Sequence, residues 1–74
     1  MTLDKLAIGQ SAVLVGIDPS HFLRHRMMEM GLTPGTAVSV LRVAPLGDPM
    51  EIKLRGFRLS IRKDDAAAIN CRSL

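Results

Sequence analysis

The sequence predicts a small, mainly β fold: a barrel of about five short strands with one helix inserted after the first long strand. Three observations carry that expectation. Apolar and charged residues alternate in two runs between Met50 and Arg62, with a jump in phase at Arg55-Gly56. Glycine and proline punctuate the rest of the chain at short intervals. Only one segment, Ser20 to Met30, leaves period two for helical spacing.

Residues 11–17, Ser-Ala-Val-Leu-Val-Gly-Ile, are a β-branched run and read as the first strand. Asp18-Pro19 follows, with Asp18 as a helix cap and Pro19 at the first helical position, where its missing N–H is no loss. Leu23, Met27 and Met30 then fall at i, i+4 and i+7, with Gly31 as the left-handed C-terminal cap. Thr33-Pro34-Gly35-Thr36 suits a type II turn, because proline presets the first central position and glycine accepts positive φ at the second. Residues 37–43, Ala-Val-Ser-Val-Leu-Arg-Val, read as the second strand, and Pro45-Leu46-Gly47-Asp48-Pro49 as a loop.

The hairpin that follows is the clearest local signal. A two-residue turn at Arg55-Gly56 sets Leu54 opposite Phe57, Ile52 opposite Leu59 and Met50 opposite Ile61. All six apolar side chains then share one face. Lys63-Asp64-Asp65 reads as a polar corner with room for one helical turn, and Ala66 to Cys71 as a last short strand. A sheet this small buries its edges best by curling, so an SH3-like barrel is the expected architecture.

The chain's 74 residues make one domain, 1–74. At 47% hydrophobic and 23% charged it is far from the composition of disorder. One cysteine excludes an internal disulfide. No apolar stretch approaches the ~20 residues that span a bilayer, and Met1 to Gln10 has no signal-peptide pattern. A cytoplasmic location is expected.

No enzyme signature is present. There is no Gly-x-Ser-x-Gly elbow, no phosphate-binding Gly-x-x-x-x-Gly-Lys-Ser loop and no Gly-x-Gly-x-x-Gly. The seven carboxylates are scattered over caps, turns and solvent faces, so the chain reads as a non-enzyme. His21, His25 and Glu29, at i, i+4 and i+8, form one stripe of a continuous helix. Such a stripe suits weak Zn²⁺ or Fe²⁺ binding without a required cofactor. A polar surface face is the competing explanation. Cys71 reads as a small buried hydrophobe beside Ile69.

With no Trp or Tyr, and with Phe22 and Phe57 expected inside, the chain lacks the aromatic platforms that proline-rich peptides and single-stranded nucleic acids use. Nucleic acid is therefore not an expected partner, although the net charge is +3. A protein partner remains. Met28 on the helix and Leu46 in the loop are the expected exposed contacts.

Leu23 to Gly35, Leu-Arg-His-Arg-Met-Met-Glu-Met-Gly-Leu-Thr-Pro-Gly, resembles the helix-turn signature of the ferrous iron transport protein A (FeoA) family. Val43 to Pro49 and Gly56 to Lys63 resemble that family's loop and closing hairpin. The resemblance implies an SH3-like barrel in the bacterial cytoplasm. The implied role is to support or regulate the membrane ferrous-iron transporter FeoB by contact with its cytoplasmic GTPase domain. It also implies contact positions at Met30, Leu32, Pro34, Pro45, Leu46 and Asp48. Two alternatives stand beside this role: a metal-binding regulator or metallochaperone built on the helix histidines, and an arginine-based activator of the partner GTPase. The expected state is a monomer or a weak, metal-bridged dimer that does not itself span the membrane.

Overall fold

A computed structural model describes all 74 residues. A 3₁₀ turn over Leu3–Lys5 leads into β1 (Ser11–Ile17), α1 (Arg24–Glu29), β2 (Ala37–Val43), β3 (Met50–Leu54), β4 (Phe57–Ile61), α2 (Lys63–Ala66) and β5 (Ile69–Ser73). The strands form one antiparallel sheet in the order β4-β3-β2-β1-β5. Register shifts between Leu14 and Gly16 in β1 and between Val40 and Arg42 in β2 mark bulges. Each bulge bends its strand and raises the local twist, which curls so short a sheet around its core.

The β3–β4 hairpin has the expected register, with Met50, Ile52 and Leu54 opposite Ile61, Leu59 and Phe57. Its turn needs positive φ at both central residues, and Arg55 at 49° with Gly56 at 83° supply it. Met50, Ile52, Leu54 and Ile61 are buried and Leu59 is half-buried. Phe57, beside the turn, is 42% exposed rather than buried.

The segment before α1 departs from expectation. Asp18 does not cap a helix. Its carboxylate accepts the Ser20 N–H at 3.0 Å and the Ser20 hydroxyl at 2.9 Å, closing a local turn instead. The helix begins only at Arg24, so Phe22 sits in a second turn, closed by Arg24 N–H to His21 O, and is 85% exposed rather than buried. The other end of α1 is as expected. Gly31 takes φ 101°, its N–H donates to the Met28 carbonyl, and Leu32 N–H reaches back to Met27 O at 3.1 Å. These two bonds make a Schellman cap, which satisfies helix-end carbonyls and buries Leu32 and Met27 together. The Thr33–Thr36 turn also forms, with Gly35 at φ 88° and Thr36 N–H donating to Thr33 O.

The last strand starts later than expected. Ala66 belongs to α2 and is fully buried, and the ladder with β1 runs from Ile69 to Ser73. Cys71 lies opposite Leu14 in that ladder and is 2% exposed. Burial holds its thiol above the ordinary value of 9.0. We expect Cys71 to react with a disulfide reagent at neutral pH at least about tenfold more slowly in the folded chain than in denaturant, because attack requires thiolate and an open sheet. Equal rates would contradict its placement.

Candidate interaction site

A groove of about 240 Å³ runs between α1 and β4. Buried Met27 and Ile61 form its floor, and half-buried Leu23, Met30 and Leu59 its walls. The spacing of Leu23, Met27 and Met30 aims all three to the same side of α1. Leu59 and Ile61 reach the groove because they share the inward face of β4. Exposed Arg26, Ser60 and Arg62 form the rim, together with Asp65.

Asp65 is already engaged. Its Oδ1 lies 3.0 Å from His21 Nε2, and both side chains are largely covered. The contact pins the turn before α1 onto α2. Two other carboxylates lie near β4: Glu51 sits between Arg42 at 3.4 Å and Arg58 at 3.8 Å, and Asp48 shares a depression with Ser60 and Arg62. Neither Arg26 nor Arg62 has an acidic partner, so the rim carries unneutralised positive charge. Asp18 is exposed, and the Ser20 backbone N–H holds its carboxyl below the ordinary value of 3.8.

Two further depressions flank the loop between β2 and β3. One is lined by Arg42, Val43, Ala44, Pro45, Pro49, Glu51 and Ser60, the other by Asp48, Pro49, Ser60 and Arg62. The loop is fixed at its base. Asp48 Oδ1 accepts the Lys63 N–H at 3.0 Å, and Gly47 N–H donates to Ala44 O at 2.7 Å. Leu46, at its tip, is 98% exposed.

The residues expected to contact a partner thus separate. Met30 lines the groove, while Leu46, Pro34, Pro45 and Asp48 are exposed on turns. Leu32 is wholly buried as the hydrophobic half of the helix cap, so it is a core residue rather than a surface contact. Met28 is half-buried against the core, not displayed. Leu23, Arg26, Leu59, Ser60, Ile61 and Arg62 were not anticipated as one site. Their apolar members were legible as core candidates, but their meeting depends on the tertiary fold.

The metal stripe is not assembled. His21 precedes α1, so it does not share the helical register of His25 and Glu29, which are both exposed. No three His, Cys, Asp or Glu side chains gather into a set that could hold a metal ion. No helix is long and apolar enough to cross a membrane.

Comparison with known proteins places the chain. The model of the FeoA domain family matches residues 1–73. A fusion of Fe(2+) transport protein A with the Fe(2+) transporter FeoB from Porphyromonas gingivalis is 36% identical over 69 residues, which are 93% of this chain and 8% of that protein. The solution structure of FeoA from Chlorobium tepidum superimposes with a TM-score of 0.92 at 36% identity, covering 100% of this chain and 70% of that one. FeoA from Stenotrophomonas maltophilia, solved in complex with zinc and described as an SH3 domain protein, superimposes with a TM-score of 0.85 at 25% identity, covering 96% of this chain and 88% of that one. The fold is mainly β and SH3-like, and the chain belongs to the FeoA family, which is associated with ferrous iron transport.

Proposed function

We propose that this chain is an accessory, regulatory protein of bacterial ferrous iron uptake that acts by binding the cytoplasmic part of the transporter FeoB. The observation that carries this reading is the Porphyromonas gingivalis relative, in which the two proteins are joined in one polypeptide. A covalent link raises the local concentration of one module at the other, which is useful where the two must touch. The groove between α1 and β4 offers the contact chemistry: an apolar slot with an arginine rim, a residue type enriched in interfaces.

The test is ferrous iron uptake by cells that have lost the gene for this chain. Uptake is expected to fall and to return on complementation with the wild-type chain. Unchanged uptake in the deleted strain would remove the proposal.

A second reading is weak metal binding, for which His21, His25 and Glu29 would have to be brought together by a rearrangement of the turn before α1. The zinc complex of the Stenotrophomonas maltophilia protein favours it. In this chain the ring of His21 would first have to leave Asp65. Zinc binding that is unaffected by His21→Ala would dispose of it.

A further inference from the structure

The two ends of the sheet are treated differently. The outer edge of β5 is covered: Cys71 N–H donates to Met1 O at 2.8 Å, and Thr2 bridges Asn70. The outer edge of β4 is bare. Across a two-residue turn Leu54 and Phe57 exchange hydrogen bonds, and the pattern alternates from there. Leu59 and Ile61 therefore bond to β3, while the N–H and C=O groups of Arg58 and Ser60 point away from the sheet. None of the backbone bonds outside the ladders involves Arg58 or Ser60. Ser60 is also the one residue that lines all three surface depressions of the molecule.

We infer that β4 accepts an added strand from the protein partner: an extended segment in which apolar side chains alternate with carboxylates. The inference rests on the partner reading above and specifies how the contact is made. Alternation is imposed by the two faces of β4. On one face Leu59 and Ile61 continue into the apolar groove under Leu23 and Met30. On the other, Arg58 lies next to Ser60 and pairs across the ladder with Lys53, and Arg62, just past the strand at the groove rim, adds positive charge near this edge. Of the acidic residues near that face, Glu51 is already shared between Arg42 and Arg58, and Asp48, beside Ser60 and Arg62, accepts the Lys63 N–H. An incoming strand thus meets apolar surface at every second residue and positive charge at those between, and main-chain bonds to Arg58 and Ser60 set its register.

Ser60→Pro separates this arrangement from simple side-chain contact. Proline removes the outward N–H, which makes no ladder bond, and edge positions tolerate it. Ser60→Ala keeps that N–H. Titration against the cytoplasmic domain of the cognate FeoB transporter should show at least about tenfold weaker binding for Ser60→Pro and little change for Ser60→Ala. Amide exchange of the wild-type chain gives a second readout that does not depend on the variant folding. The Arg58 and Ser60 amides should exchange at least about tenfold more slowly in the complex. Equal binding by Ser60→Pro, or unchanged exchange at Arg58 and Ser60 in a formed complex, overturns strand addition and leaves the partner reading standing. Absence of any complex with the wild-type chain overturns both.

Discussion

Ile52→Ala is expected to lower the thermal midpoint by at least about 8 °C. Ile52 is fully buried at the centre of β3, bonded into ladders with both β2 and β4. Removing three buried carbons from such a site costs about 2–5 kcal/mol, part of it lost transfer energy and part the cavity left behind. At about 0.05–0.15 kcal/mol per residue, a domain of this size has only about 4–11 kcal/mol to lose. Each kcal/mol shifts the midpoint by about 4–8 °C. Ile52→Val deletes one methyl and should cost about 0.5–1.5 kcal/mol. Leu46→Glu, on a fully solvated tip, should stay within about 0.5 kcal/mol of wild type. Far-UV circular dichroism is the suitable probe, since the chain has neither Trp nor Tyr to report by fluorescence. A midpoint for Ile52→Ala within 2 °C of wild type would contradict the packing at this site.

Leu23→Glu should weaken binding to the FeoB cytoplasmic domain by at least about 30-fold, while the fold survives. Leu23 is a half-buried wall of the groove, at the residue that precedes α1. A glutamate there can turn outward and meet Arg26, three residues on along the same face of the helix. A carboxylate near a helix start is also electrostatically favourable. Binding faces the opposite balance. The apolar contact is lost, and the new charge must be desolvated among the apolar side chains that the incoming segment turns toward the groove. Central contacts of this kind cost 2 kcal/mol or more when lost, which is about 30-fold in affinity. Undiminished binding by a folded Leu23→Glu chain would move the contact away from this groove, with the Leu46 loop as the next surface to test.

The parts of the fold that were legible in the sequence are those written in local chemistry. The β3–β4 register follows from two alternating runs and one phase jump, because a one-residue slip would send Ile52 and Leu59 to solvent. The cap at Gly31 and the turn at Pro34-Gly35 follow from the φ values that those residues accept. Where two local outcomes share one signature, the sequence does not choose between them. Asp18-Pro19 satisfies the rule for a helix start, but the same carboxylate closes a turn on Ser20, which shortened α1 and turned Phe22 out to solvent. Ala66-Ala67-Ala68 has no periodicity with which to choose between helix and strand, so the start of β5 was misplaced. Leu3 and Leu6, both buried, sit in a 3₁₀ turn too short to show a pattern.

The interaction site was less legible for a different reason. Leu23, Met27 and Met30 announce an apolar helix face, and Leu59 and Ile61 an apolar strand face, but about thirty residues separate them. Both faces carry the same pattern whether they are sealed against each other or leave a groove between them. The bare edge of β4 depends on strand order, which period-two alternation does not encode. The His21 stripe failed for the converse reason. Its spacing is meaningful only along a continuous helix, and α1 begins after His21.

The most direct test of the central claim is a calorimetric titration of the wild-type chain into the purified cytoplasmic domain of its cognate FeoB transporter, with and without ferrous iron. A saturable complex of one chain per domain is expected to form without added iron, since no three-ligand metal site is assembled in this fold. A complex that forms only with iron would contradict contact through the groove alone, and no complex under either condition would contradict the proposed function itself.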